Sequence, residues 1–212
     1  MRILVTGFEP FGGRSRNPSR EAALDLDGVT LAGARVAARI LPVDTLRAPA
    51  LLDAAIAELR PDAVVCLGEA ASRTRLSIER VAVNLLDFPM PDNAGYQPTD
   101  QAIVAGGPAA YFATLPVRWL REVVADEAPV ELSLSAGTYL CNQIMYHVLY
   151  TQAGTGVPAG FIHLPRSFSD PDAELDNDLP QIKRGVRRLV ESVAVWFGEG
   201  VPAAPQPARG SA

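Results

Sequence analysis

Six apolar runs of strand length alternate with stretches of helical period along this chain, and that alternation limits the fold more than any other feature. The runs are "RILVTG" (2–7), "ARVAARILPV" (34–43), "DAVVCLG" (62–68), "LSIERVAVN" (76–84), "VELSLS" (130–135) and "GFIHLP" (160–165). Helical periodicity falls over 19–26, 46–60, 108–125, 141–152 and 180–197. Strands separated by helices build a mostly parallel twisted sheet with helices on both faces, a three-layer α/β/α sandwich in one domain. The unbroken apolar run "AVVCLG" suits a central strand covered on both sides. Ser19 stands where an N-cap would open the first helix, and Pro61 closes the second.

The domain is expected over 1–199. The Pro/Ala/Gly-rich residues 200–212 read as a disordered tail. Residues 85–107, with "FPMPDNAGYQP", read as a long loop of the kind that is functional or disordered, and 166–180 as an acidic connecting loop.

Bulk properties remove several function classes. The chain has 212 residues, 48% of them hydrophobic, enough for one sizeable core. Nineteen basic and 24 acidic residues give a net charge of −5, so no basic excess draws it to nucleic acid or anionic lipid. No apolar run reaches the roughly 20 residues that span a bilayer, and the N-terminus enters a strand without a signal-peptide pattern. The expectation is a cytoplasmic protein without nucleic-acid or membrane partners. Two cysteines are no disulfide framework, and two histidines without a Cys/His cluster argue against structural zinc.

"VTGFEPFGG" (5–13) looks at first like a phosphate loop. Gly7 and Gly12 have the P-loop spacing, but Gly13 and Arg14 follow where lysine and a hydroxyl are required. Phe8 and Phe11 flank a proline instead, which suits a small neutral ligand, or simply a tight strand-to-helix turn with core aromatics.

Chemistry gathers elsewhere. Cys66, inside "DAVVCLG", reads as an inert strand cysteine. Cys141, in "SAGTYLCNQIMYHVLY", falls at a helix start, where free N–H groups and the macrodipole favour a thiolate and could hold an oxyanion. A core-facing cysteine is the alternative. His147 lies about 9 Å further along the same helix and about 240° round it, out of reach. His163 closes the strand "GFIH", and ligands of open α/β sheets bind outside the carboxyl ends of strands, which is taken to bring Cys141 and His163 to one sheet edge. Glu79 interrupts an apolar run and needs a partner, which Arg80 or His163 could supply.

Taken together, "TGFEPFGG" with "NPS", "SIERVAVN", "PDNAG", "SAGTYLCN" and "GFIHLP" resemble the pyrrolidone carboxyl peptidases, also called type I pyroglutamyl peptidases, from residue 2 to about 197. The resemblance implies a cysteine peptidase that removes N-terminal pyroglutamate from peptides, without metal or organic cofactor, on an α/β/α sandwich assembled as a cytoplasmic homotetramer. It implies Cys141 as nucleophile, His163 as base and Glu79 as the acid that orients it. It implies Phe8, Phe11, Asn17, Glu69, Met90, Tyr139 and Leu140 around the substrate.

Two blocks depart from the family. Where the family usually has D-A-R-I-P-D-N, with an arginine near the oxyanion, this chain has Asp87 to Asn93 as "DFPMPDN", with Pro89 at the arginine position. "GEAASR" has Ala71 and Ser72 where glycines or small residues are usual, with Arg73 kept and able to substitute in part for the missing cation. Two other functions fit the residues alone: a non-catalytic module binding a purine-like small molecule, and a cysteine amidase acting on another small lactam or amide.

Overall fold

The computed structural model describes residues 1–166 and 179–199. In chain order these form β1 (Arg2–Phe8), α1 (Pro18–Leu24), β2 (Thr30–Leu31), β3 (Ala34–Leu41), α2 (Arg47–Leu59), β4 (Ala63–Glu69), β5 (Leu76–Glu79), β6 (Val81–Val83), β7 (Ala110–Phe112), α3 (Val117–Val124), β8 (Val130–Ser133), α4 (Leu140–Thr151), β9 (Ala159–Leu164) and α5 (Leu179–Gly198). The expected tail 200–212 lies outside the described residues, as does most of the acidic loop expected at 166–180.

Seven strands make one sheet in the order β2-β3-β1-β4-β9-β5-β8, and β6 pairs β7 in a separate ribbon. β1, β3, β4 and β9 run parallel. Each face of the sheet carries its own core. Leu120, Val186, Leu189 and Val193 of α3 and α5 join Ile3, Val5, Val65 and Ile162 on one side. Leu52 of α2 and Ile144, Met145 and Val148 of α4 join Leu4, Val64, Cys66 and Phe161 on the other. That is the three-layer sandwich, and β4, buried at every position, is its central strand.

Four local expectations are corrected. The strand expected over 76–84 is two strands. At Arg80 the chain leaves the large sheet, its N–H bonding the Ser133 carbonyl (2.9 Å) and its carbonyl receiving the Ala113 N–H (2.9 Å). Alternation of apolar and polar residues does not reveal a change of partner halfway. The helix expected over 108–125 is β7 followed by α3. Pro116 caps α3, and a residue before proline is pushed away from helical angles. The first helix is capped by Asn17, whose carbonyl oxygen takes the Ser19 N–H, with Pro18 pre-set for the first turn. Ser19 instead uses its hydroxyl to receive the Phe8 N–H (3.0 Å) and to donate to Asn17 (2.7 Å).

The fourth concerns direction. β5 runs antiparallel to β9 and parallel to β8. The carboxyl end of β8 therefore faces away from that of β9, and Cys141 is not carried to the site by its strand end. Residues 134–139 bring the chain back across the face before α4 starts. The loop 85–107 is ordered by its own bonds. Asp92 accepts from the Thr45 N–H and hydroxyl and from the N–H groups of Ala94 and Tyr96, which holds its carboxyl below its usual range despite burial.

Candidate active site

β4 and β9 pair in parallel with Gly68 opposite His163 and Cys66 opposite Phe161. Residues paired in this way, and those two apart, project to the same face. A Cβ on Gly68 would stand 2.8 Å from the Cys141 sulfur and 2.6 Å from Cζ of Phe161. The sulfur thus sits over a strand position emptied of side chain, on the face from which His163 projects. Phe161 and His163 pack ring to ring at 4.9 Å.

His163 Nδ1 lies 2.7 Å from Glu79 Oε1, both side chains almost wholly buried. This leaves Nε2 for another partner. Arg73 Nη2 reaches the same Glu79 oxygen (3.3 Å), the Ser133 hydroxyl (3.1 Å) and the Ser135 carbonyl (3.2 Å), while its Nη1 meets Glu131 (3.4 Å). The same carboxylate oxygen therefore takes an imidazole and a guanidinium, and Arg73 is occupied there rather than over the thiol. Arg80, the other partner considered for Glu79, instead lines a groove on the outer surface. Thiol, imidazole and carboxylate in this order can pass a proton from sulfur to nitrogen while the acid holds the ring.

The helix start contributes less to the thiol than its position suggests. Burial pushes Cys141 up to about 12, and the charges of Glu79 and Glu69 push the same way; its own backbone N–H opposes them. Cys66 is also raised to about 12 by burial.

Beside the sulfur opens a pocket lined by Phe8, Phe11, Asn17, Val43, Glu69, Tyr139, Leu140 and Cys141. Tyr139 packs on Phe88 (4.5 Å between centroids) and tilts toward Phe11 (6.4 Å), and its hydroxyl donates to the Pro91 carbonyl (3.1 Å). Asn17 is spent on the scaffold: besides capping α1, it donates to the Glu9 carbonyl (3.0 Å). Glu69 points its buried carboxylate at Arg14, with Arg166 Nε 3.8 Å away.

Of the ten positions named from the sequence, His163 and Glu79 bond each other, the Cys141 sulfur lies over Gly68, the cross-strand neighbour of His163, and Phe8, Phe11, Asn17, Glu69, Tyr139 and Leu140 line the pocket with Cys141. Met90 does not line it; it is exposed, its methyl 3.6 Å from where a Cβ on Gly12 would stand. His147 is held away by Asp53 (2.8 Å). Three neighbours escaped the sequence reading. Val43 and Phe88 carry only the signal of apolar residues beside loops. Asn142, next to Cys141, bonds the Val83 N–H, the Val83 carbonyl and the Leu85 carbonyl at 2.9–3.0 Å; a buried asparagine in an apolar helix face could have signalled it. Among the described residues no group of three or more His, Cys, Asp or Glu is placed to hold a metal ion.

Known proteins resemble this chain along most of its length. A pyrrolidone-carboxylate peptidase of Chromobacterium violaceum is 50% identical over 164 residues, 77% of either chain. One from Pyrococcus furiosus is 45% identical over 168 residues, 78% of this chain and 81% of its own. The solved pyrrolidone carboxyl peptidase of Thermococcus litoralis superposes with a TM-score of 0.90 at 35% identity, covering 98% of this chain and 99% of that one. Pyroglutamyl peptidase I of Bacillus amyloliquefaciens gives 0.88 at 33%, over 92% and 97%. With the family model for pyroglutamyl peptidase matching residues 1–195, the fold and the site's setting have one origin: the chain belongs to the pyroglutamyl peptidase family.

Proposed function

We propose that this protein is a cysteine peptidase that hydrolyses the N-terminal pyroglutamyl residue from peptides, with Cys141 as nucleophile, His163 as general base and Glu79 as the group that orients it. The observation that carries this is the stacking of the Cys141 sulfur over Gly68, beside an imidazole whose other nitrogen is held by Glu79.

Pyroglutamate is a neutral five-membered lactam. The aromatic slot of Phe8, Phe11 and Tyr139, closed by Leu140 and Val43, offers it flat apolar walls, and loop backbone offers partners to its amide. Burial and the charges of Glu79 and Glu69 hold the proton on the Cys141 thiol, so it leaves as the sulfur attacks. His163 takes it, the C–S bond forms, and the carbonyl electrons move onto oxygen, facing the free N–H groups at the start of α4. His163 then returns the proton to the leaving amine as the C–N bond breaks. Water, deprotonated by the same imidazole, opens the thioester and frees pyroglutamate and the thiol. These steps require no metal or organic cofactor.

The reading includes a homotetramer in the cytoplasm. Support for assembly comes from an open apolar groove lined by Phe112, Leu115, Pro116, Val117 and Trp119, in which Phe112 is 57% exposed. Among the described residues no helix is long and apolar enough to cross a membrane. Light scattering on the eluting peak of a sizing column tests the assembly. Hydrolysis of pyroglutamyl-aminomethylcoumarin tests the activity. Release of coumarin by wild type and none by a folded Cys141→Ser variant is expected, and equal rates would refute the assignment.

A further inference from the structure

The pocket holds one charge that its neutral ligand does not call for. Glu69 ends β4, next to the glycine that packs on the Cys141 sulfur, and its side chain is 1% exposed. A carboxylate there, with Glu79 on β5 as a second, opposes formation of a thiolate between them. The loop between β1 and α1 supplies the counter-charge. Arg14 pairs with the Glu69 carboxylate while its guanidinium lies 5.4 Å from the centre of the Phe11 ring, a wall of the same pocket.

We propose that Arg14 is a positioning residue of this site: by pairing with Glu69 at the pocket lip it cancels a negative charge beside Cys141 and so governs how readily that thiol ionises. The inference rests on Cys141 being the nucleophile. The charged and titratable groups acting on the sulfur are Glu79 of β5, Glu69 and Cys66 of β4 and Tyr139 before α4, with His163 of β9 on the sulfur's own face. Arg73 balances Glu79, and Arg14 balances Glu69. Arg166 Nε, at 3.8 Å, is a second cation near Glu69. A buried carboxylate that loses a partner exerts more of its charge on what remains nearby.

The test reads the thiol directly. Alkylation of Cys141 by iodoacetamide, mapped by peptide mass, is followed from about pH 6 to about pH 10, across the ordinary thiol range. Coumarin release is followed in parallel. In Arg14→Met the alkylation profile should move to higher pH, with labelling near pH 8 falling roughly tenfold, the effect of about one unit in thiol pKa. Arg14→Lys should stay near wild type, and Arg14→Met with Glu69→Gln should return to the wild-type rate or above it. Glu69→Gln alone should label faster than wild type, which keeps the test decisive if Arg14→Met does not fold. An Arg14→Met profile that superimposes on wild type overturns the proposal, and so does a double variant as slow as the single one, or a Glu69→Gln variant no faster than wild type. If the profiles shift as expected but Cys141→Ser still turns over substrate, the peptidase reading fails while the charge relation stands.

Discussion

Gly68→Ala changes one atom and tests the site where it is tightest. The backbone at Gly68 is not in the left-handed region, so the cost is one of space alone. The new methyl would stand 2.6 Å from Phe161 Cζ, 3.0 Å from its Cε1 and 2.8 Å from the Cys141 sulfur. Ordinary carbon contacts lie at about 3.5–4.0 Å, so ring and sulfur must each retreat by roughly 1 Å. Overpacking of this kind costs about 1–3 kcal/mol, and a displacement of about 1 Å in a reacting group can cost about 10²-fold in rate. Urea unfolding gives the first quantity, and kcat for pyroglutamyl-aminomethylcoumarin the second. Adding Phe161→Leu separates them, because it relieves the ring contact and leaves the sulfur contact. The pair should be less destabilised than the sum of its parts, with kcat still low. A folded Gly68→Ala enzyme with kcat within about threefold of wild type would show that the sulfur's place over this glycine is not needed for catalysis.

Glu79→Gln keeps the shape but favours the wrong imidazole tautomer, and kcat should fall by about 10³–10⁴ in the same assay. A loss under about tenfold would leave Glu79 a packing residue. With both thiols raised to about 12, iodoacetamide labelling of Cys141 in the native protein should climb with pH without levelling off below about pH 11, while buried Cys66 stays unlabelled; a plateau near pH 8 would mean a preformed thiolate. Between about pH 9 and pH 12 the unfolded chain gives up the Cys66 proton that the folded chain keeps, so stability falls as pH rises through that window. Cys66→Ala should reduce the steepness of that fall by about 1.4 kcal/mol per pH unit, measured as urea midpoints across the range. Asn142→Leu should cost roughly 2–4 kcal/mol by leaving the Val83 and Leu85 groups unpaired, read from thermal unfolding, and a loss within about 0.5 kcal/mol would show that water replaces the amide.

What the sequence revealed and what it hid divide along physical lines. β4 was legible because a strand covered on both faces must be apolar throughout. Cys141 and His163 stood out because cysteine and histidine are uncommon residue types here and fall in telling contexts, and the family resemblance selected Glu79 among 24 acids. Strand direction was not legible: nothing in "VELSLS" says whether β8 runs with or against β9, so the strand-end argument for placing Cys141 beside His163 does not hold. A helix start, which favours the thiolate, is visible in sequence, whereas the burial and the two carboxylates from other strands that push the Cys141 thiol up are not. Arg73 and Arg14 find their carboxylates only through the fold, since Glu131 is 58 residues from the first and Glu69 is 55 from the second.

The bend at Arg80 and the asparagine that grips its far side together restrict the number of residues between them. Glu79 is fixed to His163, Arg80 to Ser133 and Ala113, and Val83 and Leu85 to Asn142. Deleting one residue in this stretch would turn β6 over, exchanging Ala82, which is 0% exposed, for Val83, which is 36% exposed. The length of this segment is therefore fixed, and insertions and deletions here are not tolerated. The turn after α4, where Gly154 and Gly156 adopt positive φ and residues 154–156 are exposed, is where extra residues or a grafted tag should be accepted.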